Sequence, residues 1–249
     1  MKPEKPSNWQ VWQNKKVAQQ FTENRRGGLL GSEAQMSVLL QLVGKVNSQS
    51  LEILDLGCGD GILTETVMRA YPVSRAVLVD GSPAMLEKAE ARFETLGLFS
   101  SLIEFKEADF NLPKWRNVLP ICQFDVIVSG FAIHHCEDDR KRALYGELVE
   151  MLKPGGLLVN IEHVASATPL GEEFFERAYA ESVAKFRVSQ GSKTDAEEVY
   201  QELLFRPDKE ANRLAPVAVQ LEWFTECGLR DVDCYWKQFE LAVLAGYKG

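Results

Sequence analysis

Short runs of consecutive apolar residues alternate along the chain with longer stretches whose apolar positions recur at helical spacing. The runs at 52–56, 76–80, 102–106, 124–130 and 157–162 read as strands. Val126-Ile127-Val128 has the unbroken apolar character of a strand covered on both faces. Helical spacing fills the intervals at 62–70, 83–96 and 138–152. Strands alternating with helices predict βαβ units and a parallel sheet. Leu152-Lys153-Pro154-Gly155-Gly156 is expected to break the third of these helices before the fifth strand. Two last runs, 229–236 and 238–244, lie too close together for a crossover helix. They predict an antiparallel hairpin with Trp236-Lys237 at its turn, entered from a helix at 216–227.

The first strand ends in a distinctive way. Asp55-Leu56-Gly57-Cys58-Gly59-Asp60-Gly61 closes the apolar run and opens the first helical stretch. Glycines there permit positive φ and let the backbone approach a ligand, and the following helix offers free N–H groups. The spacing is G-x-G-x-G, not the G-x-G-x-x-G of a dinucleotide turn. An acid just before the turn repels a pyrophosphate but suits an ammonium or a sulfonium. Asp80 ends the second strand about 20 residues on, where a carboxylate can accept hydrogen bonds from ribose hydroxyls. Ser82-Pro83 beside it reads as an N-cap followed by proline at the first helical position.

The stretch 55–61, with the terminal hairpin, resembles class I S-adenosylmethionine (SAM) methyltransferases over 51–162 and 221–249. The flanking form is similar to the broad small-molecule branch, which includes relatives of the tRNA wobble-uridine carboxymethyl-cofactor synthase. The resemblance implies a Rossmann-like, seven-stranded, mostly parallel α/β sheet with helices on both faces and a C-terminal antiparallel hairpin. It also implies SAM as cofactor, with Asp55, Gly57, Cys58, Gly59, Asp80, Gly81 and Ser82 around it and Met85 against the adenine. By resemblance Asp109 takes the adenine amino group within Ala108-Asp109-Phe110, with Phe110 available to pack on the ring. Ser129-Gly130 should leave room under the methionine part. Arg25-Arg26-Gly27-Gly28 is similar to a segment that closes over the cofactor, which assigns Arg26 to the methionine carboxylate.

Transfer from a sulfonium needs little beyond an aligned nucleophile, so a missing catalytic triad excludes nothing. If a base is used, the candidates are the three histidines, His134, His135 and His163, all after predicted strand ends. Adjacent histidines without partners at matching spacing make a poor metal site, so no metal is expected. Five irregularly spaced cysteines with no CxxC fit neither disulfides nor zinc.

At 249 residues and net charge −8, one α/β domain fits, and a broad nucleic-acid surface is disfavoured. No long apolar run is present and the N-terminus is polar, so a soluble cytoplasmic protein is expected, without membrane contact. The expected parts are an N-terminal helical cap (1–45), a SAM-binding core (46–162), an inserted helical lid (163–215), and a final helix with hairpin (216–249). The expected reaction is methyl transfer to O, N or C of a small molecule. The alternatives are a carboxymethyl-SAM synthase or other non-methylating SAM enzyme, a nicotinamide oxidoreductase, and a non-catalytic binding scaffold.

Overall fold

A computed structural model describes residues 8–98, 101–119 and 123–249, so Cys122 lies outside the described residues. The strands are β1 (Leu51–Leu56), β2 (Val73–Asp80), β3 (Ile103–Glu107), β4 (Phe124–Gly130), β5 (Leu152–His163), β6 (Leu229–Gln238) and β7 (Leu241–Lys248). They form one sheet in the order β3-β2-β1-β4-β5-β7-β6. The first five run parallel, while β7 is antiparallel to both β5 and β6. The order in which strands are added switches sides between β1 and β4, which opens a crevice at the C-terminal ends of both strands, as such switch points do.

Eight α-helices accompany the sheet among the described residues: α1 (Lys15–Gln20), α2 (Ser32–Val43), α3 (Ile62–Ala70), α4 (Pro83–Thr95), α5 (Asp138–Met151), α6 (Pro169–Ser189), α7 (Ala196–Leu204) and α8 (Val217–Glu226). Alternate strand residues feed separate cores. Leu54, Leu56, Val77, Val79 and Ile127 pack with Tyr145, Leu148 and Phe224 on one face. Ile53, Ala76, Leu78, Val126 and Val128 pack with Leu39, Val67 and Phe93 on the other. A third cluster, Phe175, Tyr179, Val183, Val199 and Leu203, joins α6 to α7 and reaches Leu241.

Three local expectations change. Leu152–Gly156 does not separate helix from strand; α5 ends at Met151 and Leu152 already pairs with Phe124, with a register shift absorbing the Pro-Gly segment. Trp236 and Lys237 lie within β6, and the hairpin turns at Phe239-Glu240, where Phe239 takes φ 51°. A Trp there packs against the cores instead of capping a turn. The N-terminal stretch is helical but broken, with a π turn (Phe21–Arg25) and a 3₁₀ turn (Arg26–Gly28) between α1 and α2.

Polar pairing inside the first core ties three elements together. The Tyr145 hydroxyl donates to Gln220 Oε1 at 2.7 Å and accepts from Asn160 Nδ2 at 3.0 Å, all three residues being buried. Tyr145→Phe leaves an amide donor and an amide acceptor without that partner and should cost about 1–3 kcal/mol. Urea unfolding of the two proteins checks this; equal midpoints would contradict it.

Candidate functional site

Residues after β1, β2, β3, β4 and β5 converge on one cavity of about 840 Å³, roofed by the N-terminal segment and the 163–215 insertion. That size lies towards the upper end of the ~300–1,000 Å³ range of small-molecule sites. Its floor is the glycine turn. Gly57, Gly59 and Gly61 take φ of 65°, 56° and 79°. A Cβ at Gly57 would collide with the Ala132 methyl, so this glycine is required by the β4 loop packed on it. A Cβ at Gly59 would meet no protein atom within 4 Å, although Gly59 lines the cavity. The open cradle is therefore at Gly59.

Asp55 lies fully buried beneath the turn. Its Oδ2 accepts from Thr64 Oγ1 at 2.8 Å and Thr64 N at 3.3 Å, while Oδ1 has no protein partner. Burial pushes this carboxyl up to about 7, against the pull of the Thr64 hydrogen bonds. Asp80 accepts from Gly59 N at 2.9 Å and Ser82 N at 2.8 Å, and burial pushes it up to about 6. An ordinary carboxyl titrates near 4, so both acids favour a cation or hydroxyl donors arriving nearby. An orphaned carboxylate oxygen and an unfilled glycine cradle fit the ammonium-bearing end of SAM.

Other expected residues sort themselves plainly. Cys58, Gly81, Met85, Ala108, Asp109, Phe110 and Gly130 line the cavity. Asp109 Oδ1 accepts from Asn111 N and Nδ2 at 2.9 and 3.0 Å, which closes the loop after β3. Ser129 does not line it: its hydroxyl donates to Leu56 O at 2.8 Å, staples β4 to β1, and stays buried. Ser82 also points elsewhere. It occupies the N-cap position of α4 but makes no side-chain cap, because its hydroxyl donates to Trp12 O at 2.7 Å.

Arg26 reaches the cavity and forms an ion pair with Asp60. Asp60 is shared with Arg92 at 2.5 Å. Burial acts to raise Asp60, yet Arg26 and Arg92 together hold it below the usual carboxylate range. Arg25 turns the other way, to Asp208 of the insertion at 2.9 and 3.1 Å.

The three histidines share one wall, with His134 between its two neighbours: ring centroids are 4.1 Å apart for His134–His135 and 5.7 Å for His134–His163. Among the described residues no group of metal-ligating side chains is assembled. His135 is occupied at both nitrogens. Nδ1 faces Ala211 O at 3.3 Å, which only accepts, so Nε2 takes the Trp12 Nε1–H at 2.9 Å. That fixes His135 as a neutral strut between the two roof segments. His163 Nε2 lies 2.8 Å from Glu240 Oε2. His134 Nδ1 lies 2.6 Å from Glu162 Oε1, and that carboxylate also accepts from His163 N and Asn160 Nδ2. His134 Nε2 has no hydrogen bond to the described residues, and the ring lines the cavity. Burial, then His163, drives His134 well below 6.5, so its imidazole is neutral at neutral pH.

Trp12, Arg206, Asp208 and Phe131 line the cavity and had escaped the sequence reading, as had Glu240, which like Glu162 lies behind the histidines and does not line it. Glu162 left a signal, since Asn160 and Glu162 are polar residues two apart in an apolar strand and so share a face. Phe131 holds φ 53°, strain of about 1–3 kcal/mol that side-chain chemistry does not announce. The others come from distant segments and left none.

Residues 53–156 match the family described as "Methyltransferase domain". An uncharacterized methyltransferase of Mycobacterium bovis is 34% identical over 112 residues, 45% of this chain and 50% of that protein. A carboxy-S-adenosyl-L-methionine synthase of Erwinia tasmaniensis is 28% identical over 148 residues, 59% of this chain and 57% of that protein. The chain thus spans about half the length of the curated relatives it matches. An O-methyltransferase family protein from Burkholderia thailandensis superposes with a TM-score of 0.66 at 17% identity, covering 95% of this chain and 60% of that one. Magnesium protoporphyrin IX methyltransferase from Synechocystis, with S-adenosylhomocysteine (SAH) bound, gives 0.59 at 15% identity, covering 91% and 86%. Residues 53–156 are thus similar to a methyltransferase domain, and the chain shares the fold of these solved methyltransferases.

The first two glycines of the turn should behave differently. Gly57→Ala drives a methyl into Ala132 and adds backbone strain, so the thermal midpoint should drop by several degrees, a loss above ~1–3 kcal/mol. Gly59→Ala adds only the strain. Calorimetric melting of both variants checks the ranking; the reverse order would contradict the turn geometry.

Proposed function

We propose that the protein transfers the methyl of SAM to a small-molecule acceptor by in-line displacement. The observation that carries this is the unpartnered Asp55 Oδ1 beside the open Gly59 cradle. In this reading Asp55 takes the methionine ammonium and Asp80 the ribose, with Met85 and Phe110 beside the base. Asp109 is left for the adenine amino group, and Arg26 for the methionine carboxylate in exchange for part of its pairing to Asp60. When bound, SAM supplies an electrophilic methyl on a cationic sulfur. The protein's contribution is mainly alignment and exclusion of water, worth up to about 7–11 kcal/mol.

His134 is the base in this proposal, a narrower assignment than the three histidines of the sequence. With Nδ1–H given to Glu162, the Nε2 lone pair faces the cavity and can take a proton from a hydroxyl or amine acceptor. His135 is excluded by its two hydrogen bonds. His163 is held against Glu240 and Phe175, and in this reading it shapes the acceptor wall. The N-terminal segment and insertion act as the cover. Cytoplasmic residence belongs to the same proposal. It is supported by Cys58, Cys136, Cys227 and Cys234 all being free thiols, as expected in a reducing compartment. Among the described residues no helix is long and apolar enough to cross a membrane.

Binding is tested by thermal shift with SAM and with NAD; a rise with SAM alone is expected, and a rise with NAD alone would contradict the proposal. Asp80→Ala should weaken SAH binding by ~10–150-fold, the scale of charge-assisted hydrogen bonds. Unchanged affinity would remove Asp80 from the ribose. In a labelled-methyl assay with the acceptor that a screen returns, His134→Ala should lower kcat by ~10²–10⁴-fold while leaving SAH affinity intact. An unchanged kcat would leave alignment as the whole mechanism.

A further inference from the structure

Resting on that methyl-transfer reading, a cluster of unspent donors in the cavity concerns the acceptor. Arg25, at the end of the π turn, and Arg206, just before the 207–211 turn, both bond to the single carboxylate of Asp208. Arg25 and Asp208 are buried, and Arg206 is largely so. Two guanidiniums therefore share one carboxylate, and among the described residues neither forms an ion pair with another acid. The neighbouring acids have other partners: Glu240 holds His163, Glu162 holds His134, Glu176 holds Lys209, and Glu202 takes Arg187 in a two-pronged pair at 2.6 and 2.8 Å.

Donors remain free on this cluster. Arg25 spends only Nη1 on Asp208, and Arg206 spends Nε on Asp208 and Nη1 on Leu203 O. Tyr179 is buried as a residue, and its hydroxyl has no hydrogen bond to the described residues. Arg25, Arg206 and Tyr179 all line the cavity. Guanidinium donors left without partners inside a protein are costly, and a guanidinium fork matches a carboxylate in shape and charge. Around it the wall is aromatic and apolar: Phe175 and Tyr179 stack at 5.8 Å with planes 9° apart, beside Phe131 and Leu241.

We infer that the acceptor is a carboxylate-bearing small molecule with an apolar or aromatic body, its carboxylate clasped by Arg25, Arg206 and Tyr179. The carboxylate is the anchor, and the methylated atom is a separate hydroxyl or amine within reach of His134. The division of labour between adjacent arginines follows: Arg26 faces the glycine turn and the cofactor, Arg25 faces the insertion and the acceptor.

The test uses matched probes on the full chain saturated with SAH. Calorimetric titration compares 4-hydroxyphenylacetate with 4-hydroxyphenethyl alcohol, and 3-hydroxybenzoate with 3-hydroxybenzyl alcohol. At least one acid should bind ~10-fold or more tighter than its alcohol, the low end for a charge-assisted contact. Arg206→Gln should erase that preference while SAH affinity changes less than about twofold on the same scale. Circular dichroism of the variant confirms its fold, and Tyr179→Phe, expected to reduce the preference, replaces it should it unfold. Acids binding no better than alcohols, or neither class binding, overturns the inference. So does a fall in SAH affinity in Arg206→Gln, which would give these cations to the cofactor. A copurified SAM-like ligand heavier by a carboxyl group would also overturn it, because the anion would then sit on the cofactor. SAH titration of the unmodified protein is a separate arm: no binding there defeats the methyl-transfer reading itself, whereas binding without acid preference defeats only the anchor.

Discussion

A carboxylate buried under a glycine turn, with one oxygen left unpaired, is the constraint around which this molecule is arranged. Asp55 sits in β1 between two strands that run on to the cavity, so no rotation can return it to water. Thr64 satisfies one oxygen from the first turn of α3 and leaves the other to whatever enters. The same turn donates Gly59 N to Asp80, which joins the two acids through the backbone that must lie against the ligand. Moving the glycine turn would therefore disturb both carboxylates at once.

The roof is tied down by the same kinds of bond. Trp12 reaches across to His135, which in turn holds Ala211; Arg25 reaches Asp208 and Arg26 reaches Asp60. Each is a contact between segments far apart in the chain. Together they make the N-terminal segment and the insertion one cover over a floor that belongs to the sheet. The pairing of Arg26 to the floor and Arg25 to the insertion gives adjacent residues opposite neighbours.

The floor was legible in the sequence because its signals are local. Alternating apolar runs gave β4 with the same ends as observed, and the hairpin followed from a connection too short to cross over. The glycine turn announced its positive φ values by residue type. Hydroxyl direction was not legible: Ser82 and Ser129 stand where capping and cavity contact were expected, yet each found a nearer carbonyl. The Pro-Gly segment before β5 kept its pairing with β4 because a register shift accommodated it. Trp236 was moved out of the turn by the packing available to its ring. The acceptor wall was least readable, since Arg25, Arg206 and Asp208 combine only through tertiary packing. His134 could be seen as one of three; only the hydrogen bonds of His135 and the pairing with Glu162 separate it from the others.

Proton linkage tests the central constraint most directly. In the free protein Asp55, held near 7, keeps its proton on about half of the molecules at pH 7, and Asp80, held near 6, keeps its proton on fewer. An ammonium placed on Asp55 favours its charged form, so binding must expel protons. Calorimetric titration with S-adenosylhomocysteine at pH 7, repeated in buffers of different ionisation enthalpy, measures this. Net release of a fraction of a proton, shrinking towards pH 8.5 and reduced in Asp55→Asn, is the expected result. Binding with no proton release, or with proton uptake, would contradict a cation resting on that carboxylate.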